Sequence, residues 1–388
     1  MIRFSAQYFL LFALMAAFSP YLQVFLQSLG FSEREVGHLQ GLLGLAGICG
    51  PMLLGRLADR VGHHKWILAA GLAAYAALLV PLAGPPGFAT AAVLAAAIGF
   101  VLRPAIPLTD VLAAEALPDP VHQYGRVRAW GSGSFVLSLL AFRAFRLVDE
   151  GSPASMMRMM VLTAGLCIVS SFMLPDSRPS RVADAKADPA KAPARFVPAF
   201  WLFLLAAGAQ RFGMAAYYSF FTLYLRETFA MKQAAWVWAL GALVETPVMF
   251  FAGRAIRRFG LQRMLIASML GASLRMAIYA FVPVLPVVLA SQALHALTFG
   301  FFHGASIEFL RRAVPAERRG LAMALYMSLT LGVTAWLGSS LGGEIIERWG
   351  YPALFGSYAL VPLAGVALML AARRSFARAC AEPAPTGA

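Results

Sequence analysis

Residues 55–65 read GRLADRVGHHK, a short charged run that separates two long apolar stretches of the chain. Gly55 and Gly62 lie on either side of Asp59 and Arg60 in this run. Glycine permits a tight turn and a close approach of two helices, and a carboxylate there can bond helix-end amides and nearby arginine. The run therefore predicts a loop between two membrane helices, with Gly55, Asp59, Arg60 and Gly62 as its defining residues.

A second copy of this pattern lies 198 residues further along the chain, where residues 253–260 read GRAIRRFG. The same offset relates Asp110 to Glu308, each at the end of the fourth predicted span of its half. Self-similarity at a fixed offset indicates an internal repeat. Two parallel repeats with a binding site between them are typical of transporters that work by alternating access.

The composition predicts a polytopic membrane protein. Of the 388 residues, 60% are hydrophobic and only 13% are charged, and the mean hydropathy is +0.71. A soluble domain carries about twice that share of charge, so soluble enzymes, disordered chains and disulfide scaffolds are excluded. The three cysteines (Cys49, Cys167 and Cys380) share no metal or redox spacing, so neither a metal site nor a cofactor is predicted.

Windows of about 20 apolar residues, the length that crosses a bilayer, predict an all-α fold of twelve transmembrane helices. The predicted spans cover residues 4–28, 35–55, 66–83, 88–110, 128–147, 155–174, 199–226, 233–253, 262–281, 284–308, 319–341 and 352–372. They divide into two six-helix pseudo-repeats. The predicted domains are a bundle at 1–174, a cytoplasmic linker at 175–198, a bundle at 199–373 and a disordered tail at 374–388.

The formal charge of +14 predicts the orientation of the chain rather than a nucleic-acid partner. With both termini in the cytoplasm, 22 of the 32 Lys and Arg residues fall on the cytoplasmic side, seven fall on the other side and three lie inside spans. Cytoplasmic loops of membrane proteins carry such an excess. The sequence thus predicts a multi-pass protein of a bacterial inner membrane with both termini inside.

The run GRLADRVGHHK resembles the signature loop of the major facilitator superfamily, which joins spans two and three on the cytoplasmic side. Further runs resemble the phenylpropionate permease family of that superfamily: PLTDVLA at 107–113, YGRVRAWGS at 124–132, LVETPVMF at 243–250 and QALHALTFGFFHGAS at 292–306. The run SPYLQVFLQSLGFS at 19–32 also fits sugar and nucleoside proton symporters. The resemblance implies a monomeric transporter of a small molecule that uses the proton gradient and no cofactor.

Glu245 is the one acidic residue well inside a predicted span, about 18 Å into span eight at 1.5 Å per residue. An intramembrane charge is costly and usually functional. Arg275 in span nine and His295 in span ten lie at a similar depth. This set resembles the proton-handling cluster of the lactose permease family, except that Thr298 stands where a second Glu is expected. We predict proton coupling through Glu245, His295 or both; a static ion pair is the alternative.

Two further cations predict the substrate. Arg211 with Gln210 lies in the middle of span seven, and Arg103 lies in span four. Because arginine binds carboxylates in a bidentate manner, these residues favour an organic anion over a neutral sugar. Arg211 could also neutralise Glu245 while the cavity is empty. Tyr217 and Tyr218 follow on span seven and would suit an aromatic carboxylate, although packing explains such aromatics equally well.

Asp110 and Glu308 end spans four and ten close to arginines, among them Arg128. We expect cytoplasmic gate ion pairs that form and break as the halves rock, with Asp110–Arg128 as the leading pair. The predicted function is proton-coupled uptake of a small organic anion such as an aromatic carboxylate. A nucleoside or sugar proton symporter, an efflux antiporter, and a non-transporting membrane sensor or scaffold are the alternatives; no enzyme motif is present.

Overall fold

The computed structural model describes residues 1–84, 86–176, 196–315 and 318–380, and this part of the chain is all-helical. The first part of the chain forms α1 (Ile2–Ser28), α2 (Glu33–Val61), α3 (His64–Ala83), α4 (Phe88–Leu102), α5 (Ala105–Ala116), α6 (Pro120–Ala144) and α7 (Pro153–Phe172). The second part forms α8 (Pro198–Phe229), α9 (Trp238–Phe259), α10 (Leu261–Phe281), α11 (Leu285–Ala290), α12 (Phe302–Ala313), α13 (Arg319–Met327), α14 (Thr334–Ala371) and α15 (Arg373–Cys380).

Nine helical segments of the described residues are long and apolar enough to cross a membrane. Three of these segments each combine consecutive helices: Phe88–Ala116 contains α4 and α5, Leu285–Ala313 contains α11 and α12, and Arg319–Ala371 contains α13 and α14. Neither α6 nor α9 is in this set: the first half of α6 is polar, and the stretch that leads into α9 counts among the described residues only as a shorter apolar helix, Ala235–Glu245. The predicted count of twelve spans therefore stays a prediction.

The ends of α2 correct the prediction for the signature run. A reciprocal pair of hydrogen bonds between Ser32 and Glu35 caps the start of this helix. The helix continues through Pro51 and Gly55 to Val61, and Gly62 ends it in the left-handed conformation at φ 72°. Gly55, Asp59 and Arg60 therefore lie on the last turns of α2, and the expected loop shrinks to residues 62–63.

Several long segments are interrupted in the membrane region. Arg103 and Pro104 separate α4 from α5, and Gly350 turns the chain inside α14 with a φ of 76°. Around His295, a 3₁₀ segment (Ser291–Leu294) is followed by a π-helical segment (Ala296–Phe301). Such π-helical turns occur frequently at functional sites, and this one follows directly after a residue predicted to handle protons.

The end of the bundle where α1 ends and α2 begins is called the far end here, and the opposite end the near end. At the far end, α2 packs tightly along α14. A Cβ atom at Gly37 would overlap the backbone of Ser339, and one at Gly41 would press against Trp336. Small residues allow this close contact between two membrane helices, which joins the first and second parts of the chain.

Polar contacts between residues 1–176 and residues 196–380 also cluster toward the far end. Every hydrogen bond and ion pair between these two described stretches lies there. They are Gln23 with the amides of Thr222 and Leu223, Gln27 with Glu227, Ser32 with Glu347, Arg34 and His38 with Glu344, Gln40 with Ser219, and Glu150 with Arg226, Ala234 and Ala235. The two parts of the chain are thus fastened together at the far end.

The predicted disordered tail is partly wrong. Residues 373–380 form the short helix α15, in which Phe376 is buried against Phe309 of α12 with ring centroids 5.3 Å apart. An apolar contact of this kind holds a short helix that carries three arginines against the bundle. Most of the predicted linker (177–195) and the end of the tail (381–388) lie outside the described residues.

Candidate functional site

The structure brings together the three residues predicted to handle protons. The carboxylate Oε2 of Glu245 on α9 lies 3.3 Å from Nε2 of His295. On the other side of the ring, Nη1 of Arg275 on α10 lies 3.1 Å from Nδ1 of His295. The imidazole therefore bridges a carboxylate and a guanidinium that do not touch each other.

This arrangement defines the protonation state of His295. A guanidinium has donors and no acceptor, so Nδ1 must accept from Arg275 and cannot carry a proton while that contact lasts. The ring is then the neutral tautomer with its proton on Nε2, which donates to Glu245.

Arg275 is fully buried, and its partners are neutral. Its Nη2 donates to Oε1 of Gln292 at 2.5 Å, and its Nε donates to the hydroxyl of Tyr279 at 2.8 Å. Its guanidinium also lies 3.9 Å from the ring centroid of Tyr217, a cation–π contact. These contacts fix the guanidinium in one orientation and thereby fix the ring of His295.

Arg211 is in a different environment from the one expected. It is only 6% exposed, and its guanidinium lies 5.1 Å and 5.2 Å from the ring centroids of Phe299 and Phe302. No described carboxylate lies within ion-pair distance of it, and its Nε has no described hydrogen-bond partner. Glu245 pairs with His295 instead, so the expected neutralisation of Glu245 by Arg211 is absent from this structure.

The side chains of Gln210 and Tyr218, which also lie on α8, have polar atoms without a hydrogen-bond partner among the described residues. Nε2 of Gln210 donates to the backbone carbonyl of Thr298 at 2.9 Å, whereas its Oε1 has no partner among the described residues. The hydroxyl of Tyr218 is likewise buried without a described partner. Buried polar groups are nearly always hydrogen-bonded. An unpaired guanidinium and amide oxygen, with a buried phenol about two turns further along α8, are what a bound polar ligand would satisfy.

Aromatic side chains enclose this region. The ring of Tyr217 packs against those of Tyr218 and Trp238 and lies 5.8 Å from the imidazole of His295. The hydroxyl of Tyr217 donates to Oε1 of Gln292 at 3.3 Å. Tyr217 is therefore part of the packing that holds Arg275, while Tyr218 is the tyrosine that keeps an available polar group.

Arg103 lies apart from this cluster. It occupies the break between α4 and α5, where its side chain passes against Gly47 of α2 and is exposed. No hydrogen bond, ion pair or ring contact joins Arg103 to Arg211, Glu245 or His295 within the described ranges. Its predicted role in binding stays a prediction.

The predicted gate pairs do not bridge the two parts of the chain. Asp110 accepts from the hydroxyl of Tyr8 at 2.5 Å and lies 4.0 Å from Nε of Arg128, all within the first part. Glu308 pairs with Arg311 and Arg312 on its own helix at 2.7 Å and 2.6 Å. The near end of this conformation is thus not fastened by these charges.

The residues of the signature run (Gly55, Asp59, Arg60 and Gly62) make different contacts from those that the sequence predicted. Oδ1 of Asp59 lies 2.9 Å from Nε2 of His64, rather than beside an arginine. A Cβ atom at Gly55 would meet nothing within 4 Å, so this glycine does not serve a close helix approach here. Arg60 is exposed and Gly62 supplies the positive φ.

Glu150 is a functional candidate that the sequence did not indicate. It lies in the loop between α6 and α7 and is 2% exposed. Its Oε1 accepts from the backbone amides of Ala234 and Ala235 at 2.8 Å and 2.9 Å, and Arg226 lies 3.4 Å from its Oε2. Burial raises the pKa of this carboxyl above its ordinary value, and these donors oppose the shift.

Glu150 therefore fastens the first part of the chain to the start of α9 at the far end. Acidic loop residues are ordinary in sequence, so no signal singled this one out. Gln292 was also missed, because a neutral amide does not stand out inside an apolar span. In the part of the chain that the structure describes, no cluster of His, Cys, Asp or Glu could hold a metal ion.

Comparisons with known proteins agree with this architecture. A maltose permease of Geobacillus stearothermophilus is 28% identical over 378 residues, which cover 94% of this chain and 92% of that protein. An Escherichia coli (strain K12) protein named "Probable 3-phenylpropionic acid transporter" is 26% identical over 362 residues, covering 92% of this chain and 93% of that protein. The crystal structure of nucleoside transporter NupG superimposes with a TM-score of 0.81 at 18% identity, covering 95% and 98% of the two chains.

The several apolar helices and these relatives make the chain a multi-pass membrane protein that transports a small molecule and is not an enzyme. The structural match supports the fold alone, given its low identity. The model of the MFS_1-like family matches residues 1–356 of the 388. The chain therefore belongs to the MFS_1-like family of major facilitator transporters.

Proposed function

We propose that this transporter imports a small organic anion, such as an aromatic carboxylate, together with a proton by alternating access. The proposed architecture is twelve membrane spans in two six-helix bundles (residues 1–174 and 199–373) that rock about a site between them. We place it as a monomer in a bacterial inner membrane with both termini in the cytoplasm, because most Lys and Arg residues lie at the near end. The far end then faces outward and is closed in this conformation.

The observation that carries the proposal is the unpaired cation at Arg211. An arginine buried in a membrane protein without a carboxylate is costly, because a buried charge is normally compensated. The two phenylalanine rings beside it compensate only part of that cost. A substrate carboxylate would complete the site in bidentate geometry, and the surrounding aromatic rings would pack against an aromatic body. The likeness to a 3-phenylpropionic acid transporter supports this substrate class.

Glu245 is the proposed proton carrier. Arg275 holds Nδ1 of His295 as an acceptor at 3.1 Å, so the imidazole positions the carboxylate and does not itself take up a proton in this state. When Glu245 is protonated, the bundle carries one charge fewer in its interior, which lowers the cost of the rearrangement between the two end states. An anion at Arg211 and a proton at Glu245 would cross together.

A substrate-exchange experiment tests the binding step of this proposal. Proteoliposomes preloaded with unlabelled 3-phenylpropionate should accumulate the labelled acid by counterflow, whereas the neutral amide of that acid should not compete. Arg211→Gln should weaken competition by the acid about tenfold to a hundredfold, the loss expected for a charged hydrogen-bond partner. Arg263→Gln, a change at an exposed arginine of the near end, is the matched control. Equal competition by acid and amide would contradict an anion site.

A nucleoside or sugar proton symporter is the second candidate. The unpaired Oε1 of Gln210 and hydroxyl of Tyr218 could hydrogen-bond a neutral polar substrate. The maltose permease relative and the fold shared with NupG support this class. Including maltose and a nucleoside in the same competition assay separates the two, since only the second candidate predicts competition by these neutral compounds.

A further inference from the structure

A pocket at the near end lies outside the candidate transport site. It has a volume of about 440 Å³ and opens between α9 and α12. Two glycines, one on each helix, leave room for it, and four charged side chains line it. These residues are Gly253 and Arg257 on α9 and Gly304, Glu308, Arg311 and Arg312 on α12.

Arg257 and Arg312 keep hydrogen-bond donors that no described residue uses. Glu308 accepts from Nε and Nη2 of Arg311 and from Nε of Arg312. Neither Nη atom of Arg312 has a partner among the described residues. Arg257 has no carboxylate of the described chain within ion-pair distance. Among the described residues that line the pocket, one carboxylate thus accompanies three guanidinium groups, which leaves this lining with a surplus of positive charge.

The internal repeat shows that this charge is peculiar to the second half. At the offset of 198 residues, Arg257 occupies the position of Asp59, which pairs with His64 in the first half. Residues 56–65 and 110–128 together hold five Lys or Arg and four acids, whereas residues 254–263 and 308–326 hold eight Arg and two acids. The basic surplus is therefore not a general feature of loops at this end.

The neighbouring helix α15 adds to the surplus. Its contact between Phe376 and Phe309 anchors it to α12, and it carries three arginines, at positions 373, 374 and 378. A basic amphipathic helix at the end of a membrane bundle is suited to the plane of lipid head groups. Clusters of arginine beside a membrane helix attract anionic lipids, and the planar guanidinium matches phosphate in bidentate geometry.

We propose that the pocket between α9 and α12 binds the phosphate of an anionic phospholipid head group. Arg257 and the free Nη atoms of Arg312 supply the donors, and Glu308 holds Arg311 and Arg312 in place. Bound lipid would stabilise the second bundle at the near end. This lipid site does not depend on which substrate is transported. An experiment that rejects the proposed function would therefore leave the lipid proposal untouched, and the reverse also holds.

The test measures the melting temperature of the full-length protein in detergent while short-chain lipid is titrated. Short-chain phosphatidylglycerol is the probe, and phosphatidylcholine and glycerol phosphate are the comparison compounds. Arg257→Gln removes a donor without breaking an ion pair described above, and the pair Arg257→Gln/Arg312→Gln removes both sets of donors. Arg263→Gln, an exposed arginine of the same end that does not line the pocket, is the matched control.

We expect phosphatidylglycerol to raise the melting temperature of the wild type and of the control, while phosphatidylcholine and glycerol phosphate have little effect. The double variant should bind phosphatidylglycerol about 30-fold more weakly, since each arginine near an anionic lipid contributes about fivefold. Arg257→Gln alone should account for about fivefold of this loss. Variants that bind as tightly as the control would overturn the proposal, and an equal effect of glycerol phosphate would overturn the assignment to a lipid.

Discussion

The Nη1 atom of Arg275 lies 3.1 Å from Nδ1 of His295, so a buried guanidinium and a histidine ring share one hydrogen bond. Because only the arginine can donate, the imidazole is neutral and its other nitrogen donates to Glu245. The contact excludes an imidazolium in this conformation. Under the proposed proton coupling, uptake of the proton then falls to the carboxylate of Glu245, and Arg275 and His295 position it.

The first prediction concerns Glu245→Gln. The amide cannot take up a proton, so counterflow exchange should persist while accumulation driven by an inward proton gradient is lost. Labelled substrate uptake into proteoliposomes with and without the gradient measures both. Glu115→Gln, a change at an exposed acid of the near end, should leave accumulation as in the wild type. Full proton-driven accumulation by Glu245→Gln would refute the assignment.

The second prediction concerns Arg275→Lys. Lysine keeps the positive charge but lacks the planar fork that reaches Tyr279, Gln292 and His295 at once. We expect a loss of about 1–3 kcal/mol of stability from the partners left unpaired, and a ring of His295 that samples both tautomers. Nitrogen-15 NMR of labelled histidine reads the tautomer directly. An unchanged spectrum would show that Arg275 does not set it.

Glu245, Arg275 and His295 stood out in the sequence because charges inside apolar spans are rare, and the resemblance to the lactose permease cluster implied that they form one set. The sequence could not predict which of them touch, since the contacts depend on how the 3₁₀ and π segments around His295 turn its ring. Tertiary packing decides such details, and spacing along a helix does not. The same limit explains why Arg211 was expected beside Glu245.

The fold was predicted in its class and in the placement of most long helices. Helix ends were less accurate, as at α2, where a helical sequence runs into the signature residues up to Gly62. Glu150 was missed because its importance comes from burial against the amides of Ala234 and Ala235, which are distant in sequence. The contact between Glu150 and these amides forms only when the chain folds, so the sequence alone could not indicate it.

The third prediction concerns the far-end contact of Glu150. Glu150→Ala leaves two amides and Arg226 without their acceptor, which should favour opening of the far end by about 3 kcal/mol. Distances between spin labels at Leu147 and Lys232, both exposed on opposite sides of this contact, measure the opening. Label distances in Glu150→Ala that match those of the wild type would contradict the role.

The same contact predicts a dependence on pH. Burial raises the pKa of Glu150 in the closed state above the ordinary value that it regains when the far end opens. Closure is therefore favoured at acid pH and weakened as the pH rises through the raised pKa. Label distances should lengthen with rising pH in the wild type and not in Glu150→Gln. A shift in the opposite direction would refute the linkage.

The fourth prediction concerns the packing of α2 against α14. A methyl group at Gly37 would overlap the backbone of Ser339, so Gly37→Ala should oppose closure of the far end by about 1–3 kcal/mol. Spin-label distances across the far end should lengthen and transport should slow. Gly55→Ala is the matched control, because a Cβ atom there meets no neighbour within 4 Å. Equal behaviour of the two variants would contradict the proposed interface.

The most direct test of proton-coupled anion transport measures proton movement and substrate movement together. Proteoliposomes are held without any gradient, 3-phenylpropionate is added outside, and the external pH is recorded beside uptake of the labelled acid. The account predicts external alkalinisation that follows uptake in the wild type and is absent in Glu245→Gln. Uptake by the wild type with no accompanying proton movement would contradict it.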